Sequence, residues 1–193
     1  MVLHKKSKYD ILKKVRKSMS DFKGVLMENK IRIRPARRED VPMINGILNF
    51  AIMNTNYNLN TSPRSEERAY EWFDSHERDG YPVIVAELNG EVIGWSSLSR
   101  FREYSGYNIT AEVSIYVSVN HRHKGVGTTL LTTLMTMAKG RYHCLVAVVT
   151  DNNWASLALF SRCGFFANTT FREIGYKNNT YIDITFMTKL LEK

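Results

Sequence analysis

Residues 120–131 read NHRHKGVGTTLL, directly behind the alternating apolar run AEVSIYV (111–117). A basic cluster, two glycines one residue apart and a leucine pair stand where a strand turns into a helix. Backbone N–H groups at such a junction converge on anions. Spacing separates the phosphate-binding turns that share this look. A P-loop places its lysine behind the second glycine of G-x-x-x-x-G-K-[ST], whereas Lys124 precedes both Gly125 and Gly127. A dinucleotide fingerprint, G-x-G-x-x-G, needs a third glycine where this chain has Leu130. What remains is R-x-x-G-x-G, running Arg122, His123, Lys124, Gly125, Val126, Gly127, with Thr128 behind it. Arg122 and Lys124 supply charge, the glycines leave the amides unhindered, and Thr128 offers a hydroxyl. The hexapeptide alone fits a pyrophosphate cradle and a basic surface turn equally well.

Around this turn, strand and helix signals alternate. IRIRPA (31–36) reads as a short strand. The following helix has Asp40 as N-cap, Pro42 in its first turn, and Met43, Ile47, Phe50 and Ile52 on its apolar side. A second helix starts at Ser65 and closes at Gly80. Two strands flank Asn89-Gly90, a strong hairpin signal. The strand 110–119 leads into the double-glycine turn and a helix carrying Leu130, Leu131, Leu134, Met137 and Ala138. HCLVAVVT (143–150) is nearly continuous in apolar residues, which predicts a strand buried on both faces. DNNWASLALFSRCGF reads as a helix capped by Asn153 and ending at Gly164, before strands at roughly 165–174 and 180–189. The expected fold class is α/β, a mixed, mostly antiparallel central sheet with helices on both faces.

The chain has 193 residues, enough for a single domain with a substantial core. Its net charge of +8 is unevenly placed: residues 1–26 hold eight basic groups against two acidic ones, so only +2 belongs to the remainder. This argues against nucleic acid or a membrane as partner of the main body. It predicts a basic N-terminal extension (1–29), with Ile11, Leu12, Val15, Met19 and Phe22 along one side, ahead of a single domain at 30–193. The extension does not read as a signal peptide. Cys144 and Cys163 lack the spacing of a zinc site or disulfide framework, which points to a reducing cytoplasm. The histidines form no metal-binding pair, and no metal is expected.

Glu112 is the carboxylate of the strand 110–119 that needs a reason to be there. Alternation puts Glu112, Ser114 and Tyr116 on one face of their strand and Val113, Ile115 and Val117 on the other. A carboxylate in a strand otherwise fit for the interior is either paired with a neighbour or chemically employed.

The double-glycine turn, the strand before it and NWASLALFSRCGF resemble the acyl-CoA signature of the GNAT N-acetyltransferases. IRPARREDVPMINGILNFAIMNT, GWSSLSRF, TAEVSIYVSVNHRHKGVGTTLL and GYKNNTYIDITFM are similar to its phosphinothricin and methionine-sulfoximine acetyltransferase branch. The resemblance covers nearly all of 31–190 and implies the GNAT fold, acetyl-CoA as co-substrate, a small-molecule amine as acceptor and a homodimer. It implies Glu112 as general base. It also implies cofactor contacts from Ile115, Tyr116 and Val117, from the turn residues Arg122 to Thr128, and from Asn153 and Ser156. Trp95, Arg100, Arg102 and Asn108 are implied as acceptor contacts. Two positions depart from the pattern. Phe160 stands where relatives carry a proton donor, and Asn108 stands where the amino-acid-acetylating branch carries arginine. Acetylation of a polyamine or a protein N-terminus, or a CoA-binding module without catalysis, are the alternatives.

Overall fold

The computed structural model describes residues 31–192; the basic extension expected at 1–29 lies outside them. Strand β1 (Arg32–Pro35) precedes helices α1 (Val41–Asn54) and α2 (Glu66–Asp79). Strands β2 (Val83–Leu88), β3 (Glu91–Arg100) and β4 (Thr110–Val117) follow. Then come α3 (Val126–Ala138), β5 (Cys144–Thr150), α4 (Trp154–Arg162), β6 (Phe166–Lys177) and β7 (Thr180–Leu190). They form one seven-stranded sheet in the order β1-β2-β3-β4-β5-β7-β6. Every neighbouring pair is antiparallel except β4 and β5. The expected mixed, mostly antiparallel sheet is what forms. Its helices divide between the faces: α1 and α2 pack on Val83, Val85 and Trp95, while α3 and α4 pack on Ile93, Leu98, Val113, Leu145 and Ala147.

Local signals explain most boundaries. The Ser65 hydroxyl accepts the Arg68 N–H at 3.3 Å to cap α2. Asn89 and Gly90, at φ 52° and 83°, turn the β2–β3 hairpin in the doubly left-handed form that suits twisted strands. Asp40 stands at the expected N-cap position of α1, but its side chain does not cap the helix. Asp40 ends a short 3-10 turn running straight into α1, makes no cap bond, and is engaged elsewhere. Arg34 grips its carboxylate at 2.6 and 2.9 Å, the Arg37 N–H donates at 2.7 Å, and Arg34 Nε reaches Glu87 at 2.7 Å. A guanidinium fork offers a carboxylate more than a free helix amide does. Although burial alone would raise the Asp40 pKa, the Arg34 and Arg37 bonds hold it below the ordinary carboxylate value.

The apolar side of α1 also differs from expectation. Val41, Ile44, Leu48, Ala51 and Ile52 are buried, whereas Met43 and Phe50 are 42% and 46% exposed. The buried set starts at Val41 and follows helical spacing; Met43 and Phe50 lie a full turn-pair apart on a neighbouring stripe.

The sheet opens at its centre. β4 and β5 pair only through Thr110–Cys144, Ala111–Leu145 and Glu112–Val146, and beyond Glu112 they part. β5 meanwhile stays paired with β7 along its whole length. The separation leaves the β5-facing side of residues 113–117 without a strand partner. It also corrects the reading of 143–150 as buried on both faces, because Val148 lies past the opening and is 39% exposed.

Candidate active site

The site forms around β4 where the sheet opens. Val113, Ile115 and Val117 turn toward the α3–α4 side, and Tyr116 turns toward α1 and α2, as alternation requires. Glu112 shares the Tyr116 face. It is half-buried and makes no hydrogen bond or ion pair among the described residues, so the ion-pair reading of this carboxylate finds no partner there. Burial raises its pKa above the ordinary carboxylate value, partly offset by the nearby charge of Arg102. A carboxylate in that condition accepts a proton more readily than one in water.

Past β4, a 3-10 turn and the basic cluster lead into α3. Arg122 Nε donates to the Val117 carbonyl at 3.2 Å, which folds the cluster back onto the strand end. His123 and Gly125 both adopt left-handed conformations, φ 60° and 81°. The two glycines serve different ends. A side chain at Gly125 would enter open space, so glycine is there for its backbone angle and for an unobstructed approach. A Cβ at Gly127 would lie 3.1 Å from Leu159 Cδ2, so glycine there lets α3 approach α4. His123, Lys124 and Thr128 are exposed at the helix N-terminus, whose first amides lack intrahelical partners. Across the opening, Asn153 Oδ1 accepts the Ser156 N–H at 3.2 Å and caps α4. The turn, the free edge of β4 and α4 thus lie together, since Gly127 stands close to Ile115 and Val117 of β4 and to Leu159 of α4. An anionic, amide-rich cofactor arm fits this arrangement: free amides for phosphates at one end, an unpaired strand edge along the middle.

The other expected residues fall at different depths. Trp95 is 2% exposed and lies between Tyr116 (stacked, centroids 4.9 Å apart) and Trp72 (5.4 Å), a floor beneath the site and not its surface. Arg100 is exposed and paired with Glu103 at 3.0 Å. Arg102 is exposed, lies over the Phe101 ring and acts electrostatically on Glu112. Asn108 is exposed at the end of the short turn 105–107. Phe160 is 2% exposed against Phe165 and offers no proton.

Three residues of the site carried no sequence signal that singled them out. Lys177 Nζ, buried, donates to the carbonyls of Ile52 (2.6 Å), Thr55 (3.0 Å) and Asn58 (2.7 Å), tying the loop after α1 to β6. Asn58 Nδ2 in turn donates to Tyr116 Oη at 2.8 Å. Arg64 closes the same loop, with its guanidinium 4.7 Å over the Trp72 ring. Of the three, only Lys177 lies in a stretch that resembles the family, GYKNNTYIDITFM, and its partners are over a hundred residues away in sequence. Among the described residues no group of three His, Cys, Asp or Glu side chains could hold a metal ion, and no helix is long and apolar enough to cross a membrane.

The acetyltransferase (GNAT) family profile matches residues 49–165. An L-methionine sulfoximine/L-methionine sulfone acetyltransferase of Pseudomonas paraeruginosa is 37% identical over 157 residues, covering 80% of this chain and 91% of the relative. A crystal structure of a ribosomal-protein-alanine N-acetyltransferase from Brucella melitensis is 37% identical, covers 83% of this chain and 99% of that one, and superposes with a TM-score of 0.81. A GNAT superfamily phosphinothricin acetyltransferase from Sinorhizobium meliloti, solved in complex with acetyl-CoA, is 29% identical over 83% of this chain and 88% of its own, with a TM-score of 0.81.

Proposed function

We propose an acceptor and a mechanism from the premise that this chain belongs to the GNAT acetyltransferase family and is an acetyl-CoA-dependent N-acetyltransferase. The acceptor is the primary amine of a small amino-acid analogue of the methionine-sulfoximine or phosphinothricin type. The observation that carries the mechanism is Glu112: a half-buried carboxylate beside the opened strand edge, with no partner among the described residues and a raised pKa.

Acetyl-CoA supplies an acetyl thioester. The turn from Arg122 to Thr128 holds its phosphates, Asn153 and Ser156 face its middle, and the amides of Ile115 and Val117, which alternate with those bonded to β3, bond its arm and polarise the carbonyl. An acceptor amine of this kind is mostly protonated at neutral pH, with a pKa of roughly 10 for an alkylamine. Glu112 removes that proton, directly or through a water, and so exposes the nitrogen lone pair. Because Phe160 has no proton to give, Tyr116 is the donor toward the departing sulfur. Burial first of all holds its hydroxyl protonated, and Asn58 occupies one acceptor position on its oxygen, leaving the O–H free to point elsewhere.

The free Cys144 and Cys163 and the need for acetyl-CoA agree with a cytoplasmic setting. Pairing with a second copy is supported by the edge strand β6 and its neighbour β7, where Phe166, Ile174, Tyr176 and Tyr181 are each more than half exposed. Such a row of large apolar side chains on a sheet edge is an interaction surface. Sedimentation of the full chain as a single copy would remove that assignment.

Acetylation of a protein N-terminal alanine is a second reading, motivated by the Brucella structure. A thiol-release assay decides between them. With acetyl-CoA fixed, methionine sulfoximine, phosphinothricin, a plain alkylamine and an alanine-initiated peptide are compared by kcat/KM. The amino-acid analogues are expected to lead; a preference for the peptide overturns the assigned acceptor.

A further inference from the structure

Ser99 stands directly opposite Glu112 in the β3–β4 ladder, on the sheet face that Glu112 shares with Tyr116. The Cβ atoms of such a pair lie about 5 Å apart, so a serine hydroxyl there is within reach of the carboxylate and of a group bonded to it. The hydroxyl is nevertheless engaged elsewhere: Ser99 Oγ lies 3.0 Å from His76 Nε2. The other ring nitrogen sets the direction of that bond. His76 Nδ1 is 2.8 Å from the Trp72 carbonyl, which only accepts, so Nδ1 carries the hydrogen. Burial above all lowers the His76 pKa and keeps the ring neutral at pH 7; Arg64 acts the same way, while the Trp72 bond and Asp79 oppose it. A neutral ring with its hydrogen on Nδ1 has a bare Nε2, and Ser99 therefore donates to it.

The histidine is firmly placed. It is 7% exposed, with its ring 4.5 Å from Trp72 and 6.2 Å from Tyr81, and it shares a cavity wall with Glu77, Arg141 and Tyr142. With its hydrogen committed to this ring, the Ser99 oxygen has only lone pairs left for the Glu112 side. Ser99 is half-buried, whereas the Ser97 hydroxyl on the same face is enclosed. Arg102 and Tyr116 are the other polar groups acting on Glu112. The first offers no acceptor, and the second already takes a hydrogen from Asn58.

We infer that Ser99 accepts one N–H of the acceptor amine beside Glu112, and that His76 is the positioning residue that makes this hydroxyl an acceptor. A primary ammonium carries three hydrogens. Glu112 takes one, breaking the N–H bond and leaving its electron pair on nitrogen, while Ser99 holds a second. Two directions of the nitrogen are then fixed as the lone pair is uncovered, which orients it for attack on the thioester. The same bond keeps Glu112 a strong base, because a hydroxyl donating to the carboxylate would favour its ionised form. This rests on Glu112 as the proton acceptor proposed above.

Loss of the imidazole frees the Ser99 hydrogen for Glu112. In His76→Phe the acid limb of the kcat/KM profile should move to lower pH by about 0.5–1 pH unit, with kcat down roughly 3–10-fold. The Glu112 carboxyl titration, read by ¹³C NMR in the protein without substrates, should move with it. Ser99→Ala should lower kcat roughly tenfold and leave that titration in place, since the parent has no donor there to remove. In the double variant the titration should return to its parent position and kcat should match Ser99→Ala, because His76 acts through Ser99. His76→Gln, whose Oε1 can accept from Ser99, should recover part of the loss. Additive losses, or a titration shift that persists without the hydroxyl, make His76 a packing residue and overturn the inference. An imidazole ¹⁵N spectrum with the hydrogen on Nε2 overturns it too. If His76→Phe does not fold, Ser99→Ala and that spectrum decide, and full turnover in Ser99→Ala sinks the assignment. Failure of the underlying mechanism looks different: Glu112→Gln would then turn over as fast as the parent. A slow Glu112→Gln beside unaffected Ser99 and His76 variants leaves Glu112 as the base and removes only its two neighbours.

Discussion

On one side of β4, the strand end, the basic turn and the start of α3 are a single continuous stretch of chain, held by its own backbone angles and by Arg122 reaching back to Val117. On the other side, the α1–α2 face that we propose for the acceptor draws on Asn45 and Asn49 from α1, Asn58 and Arg64 from the loop after it, Trp72 and His76 from α2, Glu112 and Tyr116 from β4, and Lys177 from β6. The first is a local device whose geometry follows from two glycines and a helix terminus. The second exists only when the whole sheet is assembled. Damage to the first should therefore act on the cofactor alone, and damage to the second on proton transfer and acceptor choice.

The largest expected effect tests that division on the acceptor side. Glu112→Gln keeps the shape and removes the proton acceptor, so kcat should fall by roughly 10²–10⁴-fold while calorimetric acetyl-CoA affinity barely moves. In the parent, rate should climb with pH as Glu112 loses its proton, at a pH above that of an ordinary carboxylate because burial raises its pKa. A flat profile with unchanged turnover in the variant would release Glu112 from this role. Tyr116→Phe should cost less, about tenfold, since solvent can protonate a thiolate; no loss at all would leave Tyr116 as a stacking residue only.

On the cofactor side the effects should be smaller in rate and specific in binding, and the two glycines should part company. Gly125→Ala forces a left-handed Cβ-bearing residue at φ 81°, a cost of about 1–2 kcal/mol, and puts a methyl group in the open approach. Gly127→Val crowds Leu159 instead and disturbs the α3–α4 contact, at about 1–3 kcal/mol. Acetyl-CoA affinity should drop in both. Thermal stability should drop further for Gly127→Val. Acetyl-CoA binding by both variants as tight as by the parent would mean that the turn is not the cradle.

This contrast also explains what was legible in the sequence. The turn 120–128 could be read as a strand-to-helix junction because its glycines act locally, though spacing only excluded a P-loop and a dinucleotide fingerprint, and Ser65, Asn89-Gly90 and Asn153 could be read because their partners lie within a few residues. The face of Glu112 was legible through strand alternation, whatever the sheet does next. Arg64 and Lys177 were not. Nothing in TNYNLNTSPR distinguishes a surface arginine from one fixed over Trp72, and Lys177 gains its meaning from carbonyls far back in the chain. Asp40 misled for a related reason: its local cap pattern lost to a guanidinium delivered by β1. The opening between β4 and β5 has no local signature either, so Val148 read as fully buried.

The smallest expected effect concerns stability and tests the same carboxylate from outside the reaction. Burial raises the Glu112 pKa in the folded protein above the unfolded value near 4.5. Between those two pH values the folded state still holds a proton that the unfolded state has released. Folding is therefore weakened as pH rises through that window, and the ionised group burdens the native state above it. Glu112→Gln abolishes this titration. At about pH 7.5 the variant should melt above the parent, and the difference should close as pH falls below about 3.5, where Glu112 is protonated in both states. A variant less stable than the parent at neutral pH would mean that the carboxylate is held by a favourable partner, the reverse of a base kept ready at some cost to the fold. A constant offset at both pH values would instead trace the change to packing, and the link between a stability cost and proton transfer at Glu112 would be broken.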